Sequence, residues 1–255
     1  MQESVVILEP PILNQSPRLL CFRCQVKPHS IERVVLANID EVSTFVMDKR
    51  RDEHLTGRWL LAQALEAWGI NPEELEVRRN QYRAPSLAYL QGIWKNTPLP
   101  SISIGHSQGW AYVALIDNGW TVGIDGEPDD RRIAENAFDM MASGEELEQL
   151  RSNPHLAIRT WTAKEALQKA MRLGMNLNPR KIQFPIGVKK CYFSIENLNF
   201  QLVSWTHEEA HISLAWGEGN GYDSVPEDEL LERTRKAMEN IESWGVGCST
   251  TRNNL

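Results

Sequence analysis

Two short stretches carry residues whose types and spacing suit chemistry. Gly123-Ile124-Asp125-Gly126-Glu127 presents two carboxylates two positions apart. In a strand, residues i and i+2 point to the same side, so both acids would aim at one place. Trp161-Thr162-Ala163-Lys164-Glu165-Ala166-Leu167-Gln168-Lys169 presents Glu165 and Lys169 four positions apart. On a helix those two share a face. If the helix packs across the strand end, Asp125, Glu127 and Glu165 converge with one ammonium beside them. Three unpaired anions at close range repel, and a divalent cation relieves the repulsion. Mg2+ suits such a set, because it takes oxygen ligands and completes its octahedron with substrate phosphates. Zn2+ suits it less, because the set holds no His or Cys. The chemistry implied is metal-assisted reaction at a phosphate ester. The plain alternative is a solvated acidic turn and an ordinary exposed helix face.

The elements that must position these residues are legible around them. Leu55 to Trp68 has helical periodicity, with Gly69 as its stop, and Asn71-Pro72 opens a helical turn. Leu75, Val77 and the arginines after them read as a strand. Ser101–Ile104 and Ala111–Ile116 read as strands, and Asp117-Asn118-Gly119 predicts a hairpin into a third strand, Trp120–Asp125. Pro128 stops further pairing there. Ser143-Gly144-Glu145-Glu146 is a capping-box signature before a short helix. His155 to Leu173 predicts a longer helix with Leu156, Ala163, Leu167, Ala170 and Met171 as its buried stripe. Strands follow over Leu198–Trp205 and Ile212–Trp216, then a glycine-rich linker and an amphipathic helix over Ser224–Trp244.

The chain of 255 residues is long enough for one large domain or two small ones. Its net charge of −7 argues against a protein that coats nucleic acid, which needs a broad basic surface. Basic residues still cluster locally, at Lys49-Arg50-Arg51, Arg78-Arg79 and Arg180-Lys181. No apolar run approaches the roughly 20 residues of a membrane span. The N-terminus, Met1-Gln2-Glu3-Ser4, lacks the positive region of a secretory signal, so a cytoplasmic location is expected.

Two other motifs invite metal readings and resist them. Cys21 and Cys24 form a lone CxxC without the second pair of ligands that a structural zinc needs. His207-Glu208-Glu209-Ala210-His211 matches HExxH, which works only on a helix. Here β-rich runs flank it on both sides, and a hairpin turn is expected instead.

The GID-x-E stretch and the W-S/T-x-K-E-A/S-x-x-K stretch, at this separation, resemble the signature motifs of the 4′-phosphopantetheinyl transferases. The longer, surfactin-synthetase-type branch is the better match. Ser103-Ile104-Gly105-His106-Ser107 resembles that family's serine-histidine-serine segment, and Gly57-Arg58 its N-terminal glycine-arginine pair. The resemblance covers roughly residues 40 to 216. It implies transfer of 4′-phosphopantetheine from coenzyme A to a serine of an apo acyl, peptidyl or polyketide carrier protein, releasing adenosine 3′,5′-bisphosphate. By motif position, Asp125, Glu127 and Glu165 would hold Mg2+, or Mn2+ in its place. Glu165 and Lys169 would be the catalytic pair. His106 would contact the 3′-phosphate of coenzyme A, with Ser107, Arg51, Arg58, Arg83 and Lys164 as further coenzyme contacts. The chain departs from the family at three places. Gly126 replaces an apolar residue, Arg83-Ala84-Pro85 replaces Gly-Lys-Pro, and Glu53 stands where a basic residue is common. A relative that binds carrier or coenzyme without transfer is the competing expectation.

The fold implied is α+β: two similar subdomains, each a short antiparallel sheet with packed helices, related by a pseudo-two-fold, with the active site in their cleft. The expected divisions are 1–108, 109–220 with the metal site, and 221–255 as linker, helix and tail. A monomer is expected, because the long branch carries its pseudo-dimer in one chain.

Overall fold

The computed structural model describes residues 4–12, 17–195 and 198–219. The chain is mixed α and β, with antiparallel sheets, and divides into two compact units between Asn118 and Gly119. The helix predicted over 224–244 lies outside the described residues.

The first unit holds β1 (Val6–Leu8), β2 (Leu19–Gln25), α1 (Ile39–Ser43), α2 (Asp48–Trp68), β3 (Leu75–Arg79), β4 (Pro85–Tyr89), β5 (Ser101–Ser107) and β6 (Trp110–Ile116). Its main sheet has the order β1-β2-β6-β5, and β3 and β4 form a separate hairpin. The helix predicted from Leu55 begins a full two turns earlier, at Asp48, and ends as expected before Gly69. It lies across β6, β2 and β5. Leu60, Leu61 and Leu65 from the helix meet Phe22, Val113 and Leu115 from the sheet, all at most 4% exposed. Burying each such side chain contributes about 1.5–3 kcal/mol.

The second unit holds β7 (Trp120–Pro128), α3 (Phe138–Met141), α4 (Gly144–Ser152), α5 (Ala157–Ala170), β8 (Lys190–Ile195), β9 (Leu198–His207) and β10 (Ala210–Glu218). Its sheet runs β7-β10-β9-β8, all antiparallel. The helix α5 lies over β7 and β10. A buried hydroxyl chain crosses this layer: Thr162 meets Ser213 at 2.9 Å, and Ser213 meets Ser204 at 2.7 Å.

Three expectations change. The hairpin predicted at Asp117-Asn118-Gly119 does not form, because β6 and β7 belong to different sheets. Both edges of β6 are already taken, by β2 on one side and β5 on the other. Asp117 is held to the first unit, its carboxylate accepting from the Arg18 N–H at 2.6 Å. The hairpin turn in this stretch is Gln108-Gly109, between β5 and β6. Second, the capping box before α4 is not made. The Ser143 hydroxyl donates to the Arg180 carbonyl, and Glu146 is drawn inward to a buried lysine. Third, α5 is shorter than predicted and is preceded by a tight turn at Pro154–Leu156.

The two decoy motifs land on strands. Cys21 and Cys24 lie three positions apart on β2 and point to opposite faces, both as buried free thiols. Burial pushes the Cys21 thiol far above its usual range, which makes it inert. His207 closes β9 and His211 lies on β10, so the HExxH segment is the expected hairpin. Among the described residues, no helix is long and apolar enough to cross a membrane.

Candidate active site

The acidic motif lies on the last third of β7. Gly123, Asp125 and Glu127 alternate onto one face of that strand, and α5 covers it. The contact is close because Gly123 has no side chain. A Cβ there would stand 1.9 Å from the Ala166 carbonyl oxygen and 2.4 Å from the Ala170 nitrogen. That approach brings the Glu165–Lys169 face of α5 to the carboxylates. Gly126 pairs with Ile212 of β10, so the ladder fixes the strand on either side of it.

Lys169 donates to Asp125 Oδ1 at 2.7 Å and to the Ile124 carbonyl at 3.1 Å. Asp125 is 3% exposed. Burial pushes its carboxyl up, opposed by Lys169 and reinforced by the neighbouring Glu165, to about 7. Burial works against the Lys169 ammonium, but Asp125, Glu165 and Glu127 together outweigh it and hold its affinity for the proton above the ordinary lysine range. Asp125, Glu165 and Lys169 therefore come together as the sequence predicts.

Glu127 behaves differently. It is buried and forms an ion pair with Arg131, four residues further on. Among the described residues, no three carboxylate, histidine or cysteine groups stand close enough to hold a metal ion. The side-chain cations Lys169 and Arg131 neutralise two of the three acids instead. One observation still fits a hard cation: Asp125 Oδ2 is buried without a hydrogen-bond partner. An oxygen left bare in that way, beside Glu165, is an available ligand for Mg2+.

Lys164, expected as a coenzyme contact, is wholly buried. Its ammonium donates to Glu146 at 2.5 Å, Met141 O at 2.6 Å and Pro179 O at 3.0 Å. These use all three of its donors, so it clasps α5 to α3, α4 and the Pro179 turn and offers nothing to a phosphate. Glu146 also accepts from the Phe184 N–H. Burial pushes the Glu146 carboxyl up and the Lys164 ammonium down, and each partner opposes the other's shift.

The first unit holds a cavity of about 510 Å³. Three of the expected coenzyme contacts line it: Arg58 on α2, Arg83 in the β3–β4 turn and His106 on β5. Two expected contacts do not. Arg51 pairs with Asp48 and Asp52 at the exposed start of α2, and Ser107 closes β5 opposite Trp110. Gly57 explains the glycine-arginine pair, because a Cβ there would sit 3.1 Å from the Ile104 side chain on β5. Seating α2 this close brings the next residue, Arg58, to the cavity wall. Arg58 is 3% exposed, pairs with Glu41 at 3.6 Å, and keeps a buried Nη1 without a partner. Burial, with Arg79 beside it, lowers its guanidinium to about 10.

Arg83 adopts φ +65°, a left-handed conformation that costs a non-glycine residue about 1 kcal/mol. Asn80 builds this turn, its side chain accepting from the Tyr82 and Ala84 N–H groups. The sequence pattern missed Arg79 and His54, which also line the cavity. Arg79 pairs with Glu41 at 2.6 Å, while Arg78 turns the other way to Glu76. Strand alternation at Arg78-Arg79 was the available signal. His54 is lowered to about 4 by burial first, then by Arg58.

No curated protein matches the chain. Residues 121–222, which span the acidic strand, the clasped helix and the sheet beneath it, match the family model described as the 4′-phosphopantetheinyl transferase superfamily.

Proposed function

We propose that this protein transfers 4′-phosphopantetheine from coenzyme A to a serine hydroxyl of an apo acyl, peptidyl or polyketide carrier protein, releasing adenosine 3′,5′-bisphosphate. The family match over residues 121–222 supports a phosphopantetheinyl transferase. The observation that carries the reading is the meeting of Asp125 on β7 with Glu165 and Lys169 on α5.

Asp125, Glu127 and Glu165 would hold Mg2+, with Glu127 exchanging Arg131 for the ion. When bound, the ion polarises a phosphoryl oxygen and stabilises charge on the bridging oxygens. Glu165 takes the proton from the carrier serine, which as a neutral hydroxyl is a weak nucleophile. Lys169, already among these acids, neutralises the phosphate or the leaving group. Arg58 and Arg83 in the first unit's cavity supply contacts to a coenzyme phosphate, and His106 meets the coenzyme 3′ position. The long-branch assignment, the pseudo-two-fold and a monomeric state belong to the same proposal.

The ion pair of Glu127 with Arg131 favours one competing reading, a relative that binds coenzyme or carrier without transfer. Purified protein with labelled coenzyme A, Mg2+ and a panel of apo carriers separates the two. Label on any carrier, lost in Asp125→Ala and Glu165→Ala with circular dichroism unchanged, supports transfer. Measurable coenzyme binding with no labelled carrier supports the binding module.

A further inference from the structure

The cavity in the first unit contains its own anion. Glu53, one turn before Gly57 on α2, lines the cavity with a side chain only 6% exposed. Its carboxylate stands 3.0 Å from Arg50 Nη1, 3.6 Å from His106 Nδ1 and 3.9 Å from Lys49 Nζ. A buried carboxylate among cations satisfies them before any ligand arrives. The rest of the cavity is different. Arg58 keeps an unpartnered buried nitrogen, and the Arg83 guanidinium makes no ion pair among the described residues. The cavity thus has two halves, with open donors at Arg58 Nη1 and Arg83 and, beside His106, a carboxylate already paired with Arg50 and Lys49.

Those two halves ask for different groups. Arg58 and Arg83 suit a phosphate, which meets unused donors there. At His106 a phosphate would face the Glu53 carboxylate at close range, where like charges repel. A hydroxyl or amine placed there would instead donate to the Glu53 carboxylate.

We propose that Glu53 is the specificity determinant of this cavity, a built-in carboxylate that disfavours a ligand carrying phosphate at His106 and favours one carrying a hydrogen-bond donor there. Selectivity here arises by repulsion of the wrong group as much as by attraction of the right one. The inference rests on the transferase reading in one respect, the delivery of the coenzyme 3′ position to His106. The natural discriminating pair is therefore coenzyme A against its dephospho form, which has a 3′-hydroxyl.

The test is calorimetric titration of the full chain, wild type and Glu53→Gln, with coenzyme A, dephospho-coenzyme A and inorganic phosphate. Glutamine keeps the shape and the hydrogen bonding and removes the charge. The expected result is coenzyme A binding about tenfold tighter in Glu53→Gln, with the dephospho form changed less than about threefold. Weaker coenzyme A binding in the variant, or an equal change for both ligands, overturns the proposal. The wild type alone also decides if the variant misfolds. A preference for coenzyme A below about threefold is expected, and one above about tenfold overturns the idea. If neither coenzyme binds either protein, the transferase reading fails, and inorganic phosphate then decides. Tighter phosphate binding in Glu53→Gln upholds the role of Glu53, and no gain overturns it.

Discussion

The backbone of α5 at Ala166 touches β7 at Gly123 so closely that a single methyl group cannot fit between them. The helix and strand that carry the acidic motif are registered at this point. Two positions along the strand and one turn along the helix, Lys169 reaches Asp125.

Gly123→Ala should therefore cost more than ordinary overpacking, about 3 kcal/mol or more, because backbone atoms have to move. Denaturant unfolding checks this. Coenzyme-dependent labelling of a carrier should fall with it, even at temperatures where the variant stays folded. A variant of wild-type stability would refute the close packing.

The Lys164–Glu146 clasp gives a second expectation. Lys164→Met strands a buried carboxylate and should destabilise by about 3–5 kcal/mol. Adding Glu146→Leu should recover part of that loss. Full recovery is not expected, because the Met141 and Pro179 carbonyls also lose their donor. A double-mutant cycle by urea unfolding measures the difference. Additive effects would contradict the clasp.

His54 predicts a pH dependence. Its folded value is about 4, below the ordinary 6.5, so the folded state binds fewer protons than the unfolded one between these values. Stability is then fully present above about pH 6.5 and declines as pH falls toward 4, by about 3 kcal/mol from this group. His54→Gln should flatten that part of the profile. Unfolding free energies at pH 7 and pH 4.5 for both proteins decide it.

Arg83 sets stability against binding. Arg83→Gly relieves a left-handed residue and should stabilise by up to about 1 kcal/mol, less the entropy that glycine returns to the unfolded chain. The same change removes an unpaired cation from the cavity and should weaken inorganic phosphate binding several-fold. Thermal melting and calorimetry on one sample test both halves. A destabilised variant with unchanged phosphate binding would count against a ligand role for this turn.

Much of this protein could be read from its residues in order. The spacing of Asp125 and Glu127 required a strand, and the spacing of Glu165 and Lys169 required a helix. Both elements formed, although β7 runs three residues past its predicted end and pairs through Pro128, and α5 is shorter than predicted. The flanking β-rich runs showed that HExxH was a turn. These are local facts, set by side-chain period and turn chemistry within a few residues. Partner choice is not local. Asp117-Asn118-Gly119 has hairpin chemistry, yet β6 had both edges filled by β2 and β5, so β7 paired with β10. Lys164 and Lys169 look alike in sequence, five positions apart on one helix. Burial against Glu146 and two carbonyls made the first a clasp, while the second met Asp125. Likewise Arg51 and Arg58 stand seven residues apart on nearly one face of α2, yet Arg51 pairs with Asp48 and Asp52 at the exposed start of the helix while Arg58 lines the cavity. Which acid finds which base depends on groups tens of residues apart competing for the same buried space. Only the packed tertiary structure settles that competition.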